Sequence, residues 1–439
     1  MLDIKFIREN PDLIQKNVVF RGGKVPVSQV LEADKKRRDL IKRSEELRAD
    51  RNIRSAKKPS PEEIARLRVV REELKKIEDE LKMIETEFQD LLARIPNMSS
   101  PDMPEGNGDP DHVELAVWLP DGGYLPKEKL GRGDNSAQFM PVREGRHHVD
   151  LGRDLDVIDI EQSAKTSGSR FAYLKNEAAL MQYALFELLK NKLIGEGFIP
   201  MIVPVMVNER VLFGTSHFPE GRDQVYEINT EFVEEKKPLF LVGSSEPPLF
   251  AYYMDKVLKE KELPVKMFAF THCFRSEVGS WGKDVRGIKR VHQFDKLEMD
   301  TITAPEKSRE MMEYLRSINE WVMQQLQLPY RVINKCSRDC GYNATYLQYD
   351  VEGWLPSQKE FIELGSNTDA WDYQARRMNI SYLGPDGRKS FAHTVNDTGI
   401  PIGRMIIAIL DNYQNPDGSV TIPEALRPYM GTDVILPKK

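Results

Sequence analysis

At 439 residues the chain is two to three times the length of an average domain, so one large core and at least one appendage are expected. A hydrophobic content of 40% excludes a disordered chain, and 63 Lys and Arg against 69 Asp and Glu, a net charge of −6, exclude a surface coated in basic charge, so any polyanion site must be local. The longest apolar stretch, residues 198–207, is short and holds Pro200 and Pro204, so no segment is expected to span a bilayer.

The N-terminus has neither the apolar run of a secretory signal nor the Arg-rich bias of a transit peptide, which makes the cytoplasm the expected location. Two short helical patterns come first, the second with Asn10 as N-cap and Pro11 at the first helical position, where a missing N–H costs nothing. Two long charged helices follow. In the second, Leu67, Val70, Leu74, Ile77, Leu81, Ile84, Phe88, Leu91 and Ile95 recur at spacings of three and four, an apolar seam of about four heptads. The break at Lys57, Lys58 and Pro59 lets the preceding helix, residues 28–56, fold back and cover that seam with Val30, Ala33, Leu40 and Leu47, interrupted by Arg37 and Ser44. The expected product is an antiparallel helical hairpin, an arm of roughly 45 to 50 Å at 1.5 Å per residue. The first helix and the start of the break are locally cationic, with Lys35, Arg38, Lys42 and Arg43 among eleven basic residues from Lys35 to Lys58. Two readings stay open there: a solvated charged face, or a contact to phosphate backbones.

Residues 96–110 hold four prolines and two glycines with little apolar content and read as a linker, placing an N-terminal domain at 1–105 and a second domain at 106–439. Beyond it, strand-like runs at 239–242, 266–277, 290–302, 330–335, 348–355 and 361–366 follow one another with too few intervening helices for a doubly wound sheet. An α+β fold with an antiparallel sheet backed by helices is expected. No phosphate-binding Gly-Lys-Ser/Thr loop and no dinucleotide fingerprint occurs.

Two constellations carry chemistry. In the first, two strands flank a Gly-rich cationic loop, and alternation puts Arg275 with Glu277 on one face and His292, Phe294, Lys296 and Glu298 on one face of the next strand. A guanidinium for phosphate, carboxylates for an amine and a ring for a base point to a nucleotide site; a solvated hairpin is the competing reading. In the second, residues 391–404 run through Asn396, Thr398 and Pro401 into an apolar helix, with Arg404 in its first turn, either an anion ligand or an exposed arginine. Cys273, Cys336 and Cys340 are too few for a disulfide framework and read as ordinary thiols. The seven histidines show no metal spacing, His147 and His148 read as a surface pair, and His292 as a residue that orients the hairpin.

Together with the hairpin arm, these stretches resemble the seryl-tRNA synthetases, class II aminoacyl-tRNA synthetases. Phe274-Arg275-Ser276-Glu277 through His292-Gln293-Phe294-Asp295-Lys296-Leu297-Glu298 is similar to class II motif 2, Gly403-Arg404 with the following helix to motif 3, and the helix and strand entering Pro204 to motif 1. The resemblance implies an enzyme that activates L-serine with ATP and Mg²⁺ and esterifies tRNA(Ser), with tRNA(Sec) as a further acceptor, in a homodimer whose arm, through Lys35, Arg38, Lys42 and Arg43, guides tRNA. The alternative is a paralogue that activates another small amino acid or loads a non-tRNA acceptor. By the same resemblance Arg275, Glu298 and Arg404 form the catalytic set. Arg275 holds the α-phosphate and also serves serine, Glu277 takes the adenine edge, and Phe294 with Arg404 sandwiches the ring. Glu363 and Ser366 serve the phosphates and Mg²⁺. Glu298 receives the serine ammonium or hydroxyl, Asn396 and Thr398 contact serine, and Ser244 with Glu246 closes over it. Because Glu363 and Ser366 differ in strand parity, a bulge or a strand end must lie between them.

The chain departs from the family pattern at Ser244-Ser245-Glu246, where Thr-x-Glu is usual, at Ile362, where Arg is usual, and at 364–369. It departs again at Asp397, where Gly is usual. A carboxylate at Asp397 beside the site is expected to strengthen ammonium binding and repel phosphates.

Overall fold

The computed structural model describes residues 1–55, 60–231, 237–279 and 286–438. The hairpin break at 56–59 and the loop 280–285 lie outside them. The chain divides into two compact units, Met1–Met98 and Ser99–Lys439.

The first unit is helical: α1 (Ile4–Glu9), α2 (Pro11–Phe20), α3 (Val27–Ser55) and α4 (Pro61–Ala93). Pro11 opens α2 as expected, but Asn10 caps backwards, its Nδ2 donating to the Phe6 carbonyl at 3.1 Å. A capping box starts α4: the Ser60 hydroxyl accepts from Glu63 N–H at 3.2 Å while the Glu63 carboxylate accepts from Ser60 N–H at 2.7 Å. The α3 and α4 seam buries Val30, Ala33, Val70, Leu74, Ile77 and Phe88. Interrupting Arg37 and Ser44 are both accommodated: Ser44 is buried, and the Arg37 guanidinium lies 5.2 Å over the Phe88 ring and 3.1 Å from Glu85. Exposed Arg43 to Glu73 and Arg48 to Glu78 ion pairs reach diagonally between the helices.

The second unit is built on nine strands: β1 (Val113–Leu119), β2 (Gly123–Tyr124), β3 (Ile199–Met201), β4 (Val265–Phe274), β5 (Gln293–Thr303), β6 (Tyr330–Asn334), β7 (Leu347–Leu355), β8 (Glu360–Asp369) and β9 (His393–Pro401). Their order is β2-β1-β6-β7-β8-β9-β5-β4-β3. Every neighbouring pair is antiparallel except β3 with β4. Helices α5 (Asn176–Gly195), α7 (Ser308–Gln325) and α8 (Ile402–Tyr413) flank the sheet, and the short α6 (Glu246–Ala251) packs on β5. The apolar residues that alternate with the polar face of β5 and β9, Leu297, Met299 and Val395, are buried.

β9 is not foreseen as a strand, because Asn396, Asp397 and Gly399 have poor strand propensity. Pairing on both sides, to β5 and β8, supplies what the local residues do not. The strand expected at 266–277 ends at Phe274, since the chain turns away after Arg275 N–H donates to the His292 carbonyl at 3.0 Å. Arg275 and Glu277 therefore reach the site from a turn and not by strand alternation.

Candidate active site

Phe294, Lys296 and Glu298 share one face of β5, and cross-strand pairing sets Glu298 opposite Thr398 of β9 and Ala269 of β4. Lys296 Nζ lies 2.5 Å from Glu298 Oε2 and donates to Thr398 Oγ1 at 3.2 Å, with both charged side chains almost fully buried. Burial pushes the Lys296 ammonium down, but the Glu298 charge outweighs it and leaves the pKa above the ordinary lysine value. The Arg275 guanidinium lies 5.3 Å over the Phe294 ring and donates from Nε and Nη2 to the Gly243 carbonyl, both at 3.3 Å. The guanidinium and the ring thus meet on one side of the hairpin: alternation along β5 places Phe294, Lys296 and Glu298 there, and the turn after β4 brings Arg275 to them.

Glu246 opens α6 and is buried. Its Oε1 accepts from Gln374 Nε2 at 2.7 Å and from Asn396 Nδ2 at 3.1 Å, while the Ser244 hydroxyl accepts from Glu246 N–H at 3.1 Å. Burial, reinforced by the nearby Glu298 charge, raises the Glu246 carboxyl to about 7. Arg404 projects from the first turn of α8 and pairs with Glu363 at 3.1 Å. Glu363 feels burial pushing it up, and the Arg404 and Lys335 charges overcome this to hold it below the ordinary carboxylate range. Between Glu363 and Ser366 the register of β7 and β8 shifts, Val351 facing Gly365 and Glu352 facing Glu363. The bulge at Leu364 restores a common side for both residues.

These groups line two adjoining cavities of about 580 and 590 Å³ that share Arg275 and Glu363. Glu277 and Arg404 line the first; Ser244, Glu246, Lys296, Glu298, Ser366, Asn396 and Thr398 line the second. A narrow cleft lined by Glu277, Phe294 and Arg404 adjoins them. Another cavity, of about 400 Å³, lies behind Phe294 and holds none of the other candidates. The donor set fits a hard divalent cation: the ionised Glu363 carboxylate and the Ser366 hydroxyl, which accepts from Gln348 Nε2 at 3.0 Å, both offer oxygen to the cavity.

Sequence reasoning missed several lining residues. His217, Gln224, Lys335, Tyr342 and Gln374 come from distant segments and carry no local signal. Lys296 was visible only as a member of the strand face. Asp397 is a correction: alternation along β9 puts it on the face opposite Asn396 and Thr398, where Asn319 Nδ2 of α7 donates to its Oδ1 at 2.6 Å. There burial holds its carboxyl well above the usual range, so it adds no charge to the site. His148 is a second correction. It is buried, Ile288 N–H donates to its Nε2 at 3.4 Å, and burial drives it down to about 3. His292 Nδ1 donates to the Arg275 carbonyl at 3.1 Å, an orienting contact. His112 lies near Asp109 and Asp339, but its Nδ1 accepts from Cys336 N–H, which puts the proton on Nε2, toward the carboxylates, and leaves no ring lone pair for a metal. Cys273, Cys336 and Cys340 are not in disulfides. On α3, Lys35, Arg38, Lys42 and Arg43 are all exposed, Arg38 paired with Asp34 at 3.1 Å and Arg43 with Glu73 at 2.6 Å. Among the described residues no helix is long and apolar enough to cross a membrane.

Residues 226–413 match the sequence model of the tRNA synthetase class II core domain (G, H, P, S and T), and residues 1–99 match that of the seryl-tRNA synthetase N-terminal domain. A serine–tRNA ligase of Dictyoglomus turgidum is 38% identical over 449 aligned positions, covering all of both chains. Among solved structures, a seryl-tRNA synthetase from Pyrococcus horikoshii complexed with ATP is 33% identical with a TM-score of 0.86, covering all of both chains. A cytoplasmic serine–tRNA ligase from Naegleria fowleri in complex with AMP is 29% identical with a TM-score of 0.81, covering all of this chain and 99% of that one.

Proposed function

The chain belongs to the seryl-tRNA synthetase family, and from that membership we infer its reaction: ATP-dependent activation of L-serine to seryl-adenylate, then transfer of the seryl group to tRNA. The observation that carries the reading onto these residues is the convergence of Arg275, Phe294, Glu298, Glu246, Glu363 and Arg404 on adjoining cavities.

In the first step a serine carboxylate oxygen bonds to the α-phosphorus and the bond to pyrophosphate breaks. The nucleophile is already anionic and the leaving group is good, so no activated Ser or Cys is needed. The work is in-line positioning and stabilisation of charge at phosphorus. We assign the α-phosphate to Arg275, the adenine edge to Glu277, and the ring faces to Phe294 and Arg404. Taking Arg404 for the base requires its pair with Glu363 to loosen, which frees that carboxylate for Mg²⁺ with Ser366. When bound, Mg²⁺ supplies charge neutralisation on the phosphates. Glu298 and Glu246 take the serine ammonium and hydroxyl, with Asn396, Thr398 and Ser244 completing the pocket. In the second step a terminal ribose hydroxyl of tRNA attacks the acyl carbon and AMP leaves.

The acceptor range, tRNA(Ser) and also tRNA(Sec), is our further proposal, with the α3 face bearing Lys35, Arg38, Lys42 and Arg43 as the tRNA contact. A homodimer is supported by exposed apolar side chains on α5 and on the segment that follows it, Tyr183, Ile194, Ile199, Ile202 and Met206. We place the enzyme in the cytoplasm, where tRNA charging is needed. Of the alternative, the N-terminal match to the seryl-tRNA synthetase domain speaks only against loading of a non-tRNA acceptor; activation of another small amino acid is decided by the exchange assay. Pyrophosphate exchange into ATP tests the assignment: L-serine should support it in preference to threonine, alanine, glycine or cysteine. Exchange on another amino acid and none on serine would overturn the substrate while leaving the fold intact.

A further inference from the structure

Two non-glycine residues at the nucleotide end of the site hold left-handed backbone, Arg170 at φ 61° and Glu277 at φ 50°. Such conformations are costly for an L side chain and persist only where the surroundings over-determine them. Here the two are linked: Arg170 Nη1 donates to the Glu277 carbonyl at 3.0 Å. Arg170 is itself fixed to the hairpin, because its carbonyl accepts from His292 N–H at 2.9 Å.

The other side of the same turn is gripped from a different segment. Ser276 N–H donates to the Gln224 carbonyl at 3.0 Å, the Ser276 hydroxyl donates to the Asp223 carbonyl at 2.5 Å, and Gln224 Nε2 donates to the Val278 carbonyl at 3.2 Å. The main chain of Glu277 is thus held between residues far away in sequence. None of these bonds uses its carboxylate, which faces the cleft with Phe294 and Arg404, Oε2 lying 3.7 Å from Arg290 Nη1.

We propose that Arg170 is a positioning residue for base selection: by holding the Glu277 carbonyl it fixes the turn that aims the Glu277 carboxylate at the exocyclic amine of adenine. The proposal rests on the role given above to Glu277. Without the guanidinium, the turn relaxes toward right-handed backbone, the carboxylate swings off the base edge, and the enzyme loses its preference for an amine over a carbonyl at that position. Serine sits at the other end of the site and is unaffected.

The test is pyrophosphate exchange with ATP against inosine triphosphate, which carries a carbonyl where adenine has its amine. Glu277→Ala measures what the carboxylate contributes and should lower the ratio of kcat/KM for the two nucleotides about tenfold or more, the size of a hydrogen bond to a charged group. Arg170→Ala should lower the ratio comparably, through KM for the nucleotide, with KM for serine unchanged. Arg170→Lys, which keeps a donor, should restore part of it, and the double variant should lose no more than Glu277→Ala alone. If Arg170→Ala does not fold, Arg170→Met keeps the stem without the donor and reads the same quantity. A ratio unmoved by Glu277→Ala would remove the adenine role of Glu277 and this proposal with it. A ratio lowered by Glu277→Ala but unmoved by Arg170→Ala or Arg170→Met would overturn the positioning role alone.

Discussion

Replacing Lys296 by Met removes one partner of a buried ion pair and leaves the other in place. The two side chains are 6% and 3% exposed with 2.5 Å between Nζ and Oε2, so the Glu298 carboxylate relies on that ammonium for most of its charge compensation. Breaking such a pair costs about 3–5 kcal/mol, because the remaining charge stays buried. The unit Ser99–Lys439 spans 341 residues. At ~2.1 cal/mol/K per residue its unfolding entropy is about 0.7 kcal/mol/K, so the melting temperature should fall by about 4–7 °C. Removing both charges, in Lys296→Met with Glu298→Gln, should recover most of that loss, since the uncompensated anion is gone. Calorimetry on the wild type, the two single variants and the double variant gives the coupling directly. The same Lys296→Met variant should raise KM for serine, because the ammonium that holds the Glu298 carboxylate in place is gone. Equal melting temperatures for Lys296→Met and the double variant would refute the reasoning, because the pair would then not be coupled.

Other outcomes follow from the same site and from the arm. Burial and Glu298 raise Glu246 to about 7, so a proton must leave before the residue can hold an ammonium; KM for serine should fall about tenfold from pH 6 to pH 8, and Glu246→Gln should flatten that dependence. The sign for stability is opposite: a carboxyl raised on folding costs stability as pH climbs from its unfolded value through 7, so Glu246→Gln should gain stability over that window, read by denaturation at several pH values. Asp397→Asn should likewise be more stable than wild type at alkaline pH and no different in serine kinetics, since the carboxyl faces Asn319; a changed KM for serine would place Asp397 in the site after all. Deleting residues 28–95 should leave serine-dependent exchange intact and abolish tRNA charging, and normal charging by the deletion would remove the tRNA role of α3 and α4. Leu74→Ala in the hairpin seam should destabilise the first unit by about 2–5 kcal/mol, seen as an earlier transition in its helical signal.

Periodicity made the hairpin legible because each helix position repeats every 3.6 residues and the partner surface is local: Val70, Leu74, Ile77 and Phe88 are buried where their spacing put them. The polar face of β5 was legible for the same reason with period two, and parity alone required the bulge found at Leu364. The sequence by itself therefore determined which side chains share a face within one element. It could not determine which distant faces meet. Gln374, Tyr342 and Lys335 line the cavity by packing from elements whose own residues say nothing of it, β9 is a strand because β5 and β8 pair with it, and Asp397 was misplaced because the strand that sets its parity was not seen. His148, polar by type, is buried because Ile288 and its neighbours close over it. Local periodicity is written in adjacent residues, whereas burial, charge compensation and the aim of a turn such as Glu277 arise only when chain segments far apart are brought into hydrogen-bonding distance.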